Sequence, residues 1–256
     1  MPAEDEDRYV FPMWQNRDLA PIPVETSSLT SDSSSSDESS KKRRKWRLKC
    51  SVPAKLAEAP SQPPCYTLYP GKRRHRTFVH VKGLLDARDI QRVHAIWRHP
   101  SVQEIRDRKS SLLYRHVAYR IELPLRAHGE RIYHRMMSAM FWTDTANFGG
   151  RLSRSKVVFP EAEYIVYDAR GSREPGEIEP HVDNHSAVTI VVLLAHPSEF
   201  RGGASCFEAA EKGSPDRQVS LQRGDAVIFR GEKLTHWITP VTDGVRCILQ
   251  IELSRV

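Results

Sequence analysis

The chain has 256 residues, enough for one sizeable core or two small ones, and its 39% hydrophobic and 8% aromatic content leaves part of it outside any core. No apolar run approaches the length of a membrane-spanning helix, and the acidic opening Glu4 to Asp7 is unlike a secretory signal, so the reading excludes membrane and secreted classes. The net charge of +7 is concentrated in one short block, so the folded part need not be a nucleic-acid surface.

Residues 26–40 are Ser-rich and acidic with almost nothing to bury, and they are expected to be disordered. Lys41 to Lys49 follows, with seven basic residues in nine. Three uses of this run stay open: a nuclear-import signal, a patch contacting phosphates, or a solvated segment. The first would place the protein in the nucleus as well as the cytoplasm. Pro-rich residues 53–70 lead out of it, so residues 1–76 are read as a tail and 77–256 as the folded domain, expected to fold with residues 1–70 removed.

The domain opens with Phe78–Val81, which alternates like a short strand before Gly83. Asp86, with Asp89 three residues on, marks a helix start followed by Ile90, Val93 and Trp97 on one stripe. A second helix is predicted over Glu130–Phe141, with Ile132, Met136 and Met140 facing the core. From Val157 the pattern changes to short β-branched runs: Val157–Phe159, Tyr164–Tyr167, Val188–Leu194, Ala204–Phe207, Val219–Leu221, Ala226–Phe229, His236–Thr239 and Arg246–Leu253. Turn signals separate them, among them Gly202-Gly203, Gly224-Asp225 and Asp243-Gly244, which means a sandwich, barrel or jelly roll with helices supporting one face. Cys50, Cys65, Cys206 and Cys247 are scattered without a Cys-x-x-Cys pair, against a zinc ribbon or disulfide framework and in keeping with a reducing compartment.

Of eleven histidines, two have a carboxylate at i+2: His128 with Glu130, and His181 with Asp183. His128 precedes a predicted helix, where Glu130 serves the helix start and His134 is turned away from it, so that set is read as a decoy. In an extended segment His181 and Asp183 point to one side and can reach one ion together. His185 and His196 belong to the turn and the end of the same hairpin, whereas His236 begins a distant strand-like segment. Two imidazoles and one carboxylate on one face of an ion leave its other positions open, which suits non-haem Fe(II) and its oxygen chemistry. Arg246 follows His236 by ten residues at the start of the final run.

Here the pattern becomes specific. His181-x-Asp183, His236 and Arg246 resemble the iron and co-substrate motif of the 2-oxoglutarate/Fe(II)-dependent dioxygenases. Phe200-Arg201-Gly202-Gly203-Ala204 resembles the Gly-Gly turn of those enzymes, and Gly224 to Phe229 the strand before their distal histidine. His236-x-x-x-Pro240-Val241-x-x-Gly244-x-Arg246 resembles the prolyl 4-hydroxylase-like branch. The likeness covers about residues 77–256 and is sharp over 160–256. It implies a mainly β (α+β) fold with a double-stranded β-helix, jelly-roll or cupin-like, core. It implies Fe(II) held by His181, Asp183 and His236, and 2-oxoglutarate whose distal carboxylate pairs with the fork of Arg246. O2 is then consumed, succinate and CO2 leave, and L-ascorbate keeps the iron reduced.

The resemblance also puts Tyr167 near the iron-bound end of 2-oxoglutarate, with Tyr164 as the alternative. Where some members carry a Tyr that donates to the distal carboxylate, this chain has Leu193, and Thr189 is the candidate to compensate. Arg246, Ile248 and Gln250 alternate onto the pocket face of the last strand, which makes Gln250 a candidate substrate contact. The reading that follows is a hydroxylase of a protein side chain such as proline. An oxidative nucleic-acid demethylase of the same superfamily is the first alternative, although the second Arg of such enzymes is replaced here by Glu252. A catalytically silent nuclear binding module is the other.

Overall fold

The computed structural model describes residues 52–53, 62–99, 102–105, 116–154, 157–170 and 176–255. The Ser-rich tract, the basic run and the acidic opening lie outside the described residues. In chain order the strands are β1 (Val52–Pro53), β2 (Tyr66–Tyr69), β3 (Phe78–Val81), β4 (Gln103–Ile105), β5 (Val117–Arg120), β6 (Val157–Asp168), β7 (Gly176–His181), β8 (Ser186–Leu193), β9 (Phe200–Gly202), β10 (Ser205–Phe207), β11 (Arg217–Val219), β12 (Ala226–Phe229) and β13 (His236–Arg255). Helices α1 (Ala87–Trp97), α2 (Glu122–His128) and α3 (Glu130–Thr143) precede β6.

All the strand pairings are antiparallel and fall into two sheets that share β13. The major sheet runs β2-β3-β12-β8-β13-β6-β5-β4, with β1 on the start of β6. The minor sheet gathers β7, β9, β10 and β11 around the first part of β13. His236 to Ile238 pairs with β10 on one side and β7 on the other, while Val245 onward pairs with β6 and β8. The sequence reading placed a turn at Asp243-Gly244 between two strands. The chain instead passes through as one strand that changes sheets, with register shifts from His236 to Asp243 and Gly244 at φ 75°. Such bends let one strand make the corner between two packed sheets. Two sheets joined this way form the expected double-stranded β-helix.

The core follows from the sequence pattern. β3, β8 and β12 are buried along their whole lengths, as strands covered on both faces must be. At the start of α1, the Asp89 N–H donates to Asp86 Oδ1 (2.8 Å) and the Asp86 N–H to Asp89 Oδ2 (3.3 Å), the reciprocal cap expected from their spacing. Ile90, Val93 and Ile96 form its buried stripe; Trp97 lies at the edge and stacks on Tyr164 with centroids 4.6 Å apart. α3 buries Ile132, Met136 and Met140 as predicted.

Several elements lie outside those expected from the sequence, among them α2, β7 and β2. α2 carries Pro124 and follows a β-like run; β7 holds one apolar residue, Ile178, between Glu177 and Glu179; β2 lies within the stretch assigned to the tail. Tyr66–Tyr69 pairs residue for residue with β3, and Tyr69 stacks on Phe78 at 4.5 Å, so ordered structure begins before Thr77. Deleting 1–51 is predicted to leave the melting temperature unchanged. Deleting 1–70 strips β2 from β3 and is predicted to lower it by several degrees, for about 2 kcal/mol of lost aromatic burial; thermal melting of the two truncations checks this.

Candidate metal centre

The metal-ligand set is assembled by strand pairing and one turn. β7 ends at His181, which stands directly opposite His236 at the start of β13. Asp183 lies two residues on, in the turn before β8, where its N–H donates to the Gly231 carbonyl (2.9 Å). His181 Nε2 is 3.5 Å and His236 Nε2 3.4 Å from Asp183 Oδ1, and the three potential ligand atoms lie within 4.8 Å of one another. Among the described residues this is the one His/Cys/Asp/Glu group compact enough to hold an ion.

Both histidines are held from behind. His181 Nδ1–H donates to the Glu179 carbonyl (2.7 Å) and His236 Nδ1–H to the Leu234 carbonyl (3.0 Å). Each bond leaves the Nε2 lone pair directed at the cluster, the arrangement that orients a metal-binding imidazole. Asp183 Oδ2 accepts from Thr189 Oγ1 (2.7 Å), which in turn sits 2.8 Å from Ser186 Oγ. Burial works against ionisation of Asp183, but His236, His181 and the Thr189 bond outweigh it and hold the carboxyl well below the usual range. Burial also opposes the charge on His181, yet the Asp183 and Glu179 contacts raise its pKa on balance.

Gly231 is a position the sequence reading missed. A Cβ there would lie 2.3 Å from Thr189 Oγ1 and 2.7 Å from Asp183 Oδ2. Only a hydrogen fits, because the backbone itself supports the carboxylate. Gly231→Ala is predicted to push Asp183 out of the cluster and lower metal affinity about 10- to 100-fold, measured by calorimetric metal titration.

The histidines open onto a pocket between the two sheets. From the major sheet it is lined by Tyr167, Val191, Phe229, Arg246, Ile248 and Gln250, and from the minor sheet by Ile178, Phe207 and Ile238 among others. Arg246, Ile248 and Gln250 thus share the face that alternation along β13 assigned them. Arg246 is 1% exposed, and its Nε and Nη1 have no hydrogen-bond partner. Burial lowers its pKa, while Tyr167, directly opposite it on β6, acts the other way. Its Cζ lies 5.3 Å from the Tyr167 ring centroid. Gly203, at φ 66°, passes over the guanidinium stem; a Cβ there would fall 2.6 Å from Arg246 Cδ. The Gly-Gly turn therefore makes room for a buried cation whose donors await an anion.

Tyr167 and Tyr164 are separated by the same alternation. Tyr167 lines the pocket, and burial pushes its phenol up to about 12 with Arg246 opposing. Tyr164 faces the helices, its hydroxyl 2.9 Å from His94 Nδ1. Thr189 needs correction: its hydroxyl is committed to Asp183, so it orients the metal carboxylate and is not a donor to the co-substrate. Leu193 is opposite Ile248 and buried. His128 closes α2 and packs against His99 at 5.5 Å, away from the cluster. His185 is an exposed turn residue at φ 72°, and His196 caps a short 3-10 turn.

Two imidazole nitrogens, one carboxylate oxygen and, nearby, a buried guanidinium with two donor nitrogens unpaired fit Fe(II) with an anionic co-substrate. No family model and no curated protein matches the sequence. Among solved structures, the chain is similar to a 2OG-Fe(II) oxygenase family oxidoreductase from Burkholderia pseudomallei, with 17% identity, a TM-score of 0.50, and coverage of 70% of this chain and 84% of that one. It is also similar to a Pseudomonas putida prolyl-4-hydroxylase, with 13% identity, a TM-score of 0.49, and coverage of 70% and 92%. The chain has the double-stranded β-helix fold of the 2OG-Fe(II) oxygenases, with His181, His236 and Arg246 lining a pocket between its sheets and Asp183 beside the two histidines.

Proposed function

We propose that this chain is a 2-oxoglutarate- and Fe(II)-dependent dioxygenase that hydroxylates a protein side chain such as proline, releasing succinate and CO2. The observation that carries the reading is the His181–Asp183–His236 cluster beside a pocket that holds a buried Arg246 with two unpaired donor nitrogens. His181 and His236 would offer Nε2, and Asp183 an oxygen, to Fe(II). Once bound, the iron supplies oxygen activation coupled to oxidation of the co-substrate. Arg246 would pair with the distal carboxylate of 2-oxoglutarate, with Tyr167 beside it. Phe207, Phe229, Ile178, Ile238 and Ile248 keep the space between dry, which strengthens the Arg246–carboxylate attraction and limits side reactions.

The N-terminal half of β13 matches the prolyl 4-hydroxylase-like pattern from His236 to Arg246, and this supports a polypeptide substrate. Ascorbate as reductant belongs to the same proposal. So does nuclear or cytoplasmic residence through Lys41 to Lys49. The test is succinate release and +16 mass shifts after incubating the full chain with Fe(II), 2-oxoglutarate and a proteome extract. Shifts on protein side chains support the reading. Oxidation confined to nucleobases or small metabolites overturns its substrate half.

A further inference from the structure

One end of the barrel collects both the metal centre and a band of cations. Phe229, at the end of β12, is opposite Phe78 at the start of β3 and Thr189 near the start of β8, and β6 starts there too, with Val158 opposite Arg255. Asp183 precedes β8 and His236 begins β13, so the candidate ligands belong to this end. Three connections meet there: residues 70–77 between β2 and β3, residues 149–154 before β6, and residues 230–235 between β12 and β13. They touch one another. A Cβ on Gly149 would lie 3.3 Å from Arg74 Nη1, and Arg151 and Arg230 lie 3.3 and 3.0 Å from Glu232. The last connection also carries Gly231, whose carbonyl accepts the Asp183 N–H.

These connections are rich in cations and short of anions. Arg76 faces Glu208 (3.4 Å), Lys72 faces Glu211 (3.3 Å), and Glu232 is shared between Arg151 and Arg230. Arg73, Arg74, Arg154 and Lys233 are exposed, and among the described residues no carboxylate pairs with them. Behind them Arg230 is 5% exposed, and its Nε has no hydrogen-bond partner. Burial and then the charge of Arg151 lower its pKa, against Glu232 and Asp144. Burial, then Arg230, Arg73 and Arg76, likewise lower that of His75, against Glu208. Cations that depress one another, around a buried guanidinium with a spare donor, form a rim that an anion completes.

We infer that the polypeptide substrate carries acidic side chains beside its target residue, and that Arg73, Arg74, Arg154 and Lys233 hold them on the rim at the metal end of the barrel. This rests on the oxygenase reading above and narrows its substrate to acidic peptides. A single-stranded nucleic acid fits the rim less well. Glu208, Glu211 and Glu232 interrupt the track that a phosphate backbone would follow, and none of the three connections carries an aromatic ring on which a base could stack.

The test is fluorescence polarisation with the full chain, using short labelled peptides with a central proline flanked by Asp, Asn or Lys, and a labelled single-stranded oligonucleotide. The Asp peptide is expected to bind about tenfold more tightly than the Asn peptide, as one charge-assisted contact allows. The Lys peptide should bind least, and added salt should shrink the differences. Arg74→Gln with Arg154→Gln and Lys233→Gln should erase the preference. If that triple variant melts early, Lys233→Gln alone must still reduce it. Equal binding of the Asn peptide overturns the inference, as does a preference that survives the three substitutions, or an oligonucleotide whose tighter binding they abolish. Binding is read without turnover, so a missing acidic preference counts against this inference alone. Absence of succinate with every peptide counts instead against the oxygenase reading.

Discussion

Asp183→Ala is expected to lose iron and turnover together. Asp183 is the single anion of the cluster, and its Oδ1 lies within 3.5 Å of both imidazole Nε2 atoms. Removing a group that merely supports a ligand costs about 10- to 100-fold in metal affinity, so losing the ligand itself should cost more. The fold should persist, because Asp183 sits in a turn and the surrounding strands keep their pairing. Metal content after dialysis and succinate release check both halves. A pH series adds a sign. Imidazole must be deprotonated to bind metal, and the Asp183 and Glu179 contacts raise the pKa of His181 despite its burial. Iron retention should therefore begin to fall at a higher pH than an ordinary histidine would dictate, and keep falling as the pH drops.

Arg246→Ala should weaken 2-oxoglutarate binding about 10- to 100-fold, the equivalent of one charge-assisted contact of about 1.5–3 kcal/mol. Iron affinity should change far less, because Arg246 is not one of the three candidate ligands. Arg246→Lys should recover only part of the loss, since a point charge lacks the planar fork that meets both carboxylate oxygens. Calorimetric titration of co-substrate into iron-loaded protein measures each step. Unchanged affinity in Arg246→Ala would mean that another cation holds that end. The substitution also removes a buried charge with two unpaired donor nitrogens, which offsets part of the packing lost on truncation, so the apo protein should melt within a few degrees of the parent.

The site was more legible in the sequence than the strands that build it. His181, Asp183 and His236 offer two imidazoles and a carboxylate to one ion, and the resemblance to the 2-oxoglutarate/Fe(II)-dependent dioxygenases adds Arg246 to them. Alternation along the last strand then assigned Arg246, Ile248 and Gln250 to one face. β7 was invisible because a half-exposed strand reading Glu177-Ile178-Glu179 lacks a clear apolar period. The two halves of β13 read as separate strands because Asp243-Gly244 carries a turn's chemistry, while neighbouring β9 and β7 hold it extended. Thr189 was placed on the correct face but given the wrong partner. Face assignment fixes a direction, and only the turn that brings Asp183 back over β8 decides what lies there. Gly231 had no local signal at all; its need for a bare backbone arises from the approach of Asp183 and Thr189 from another strand.

The most direct measurement is an anaerobic titration of the full chain with Fe(II) and then 2-oxoglutarate, followed by visible absorption. A charge-transfer band should appear only when both are present, saturate at one equivalent of iron, and vanish in His236→Ala. Admitting O2 should then bleach it and yield one succinate for each co-substrate consumed. Iron binding that gives no such band, or a band that survives loss of His236, would contradict a co-substrate chelated at the His181–Asp183–His236 centre.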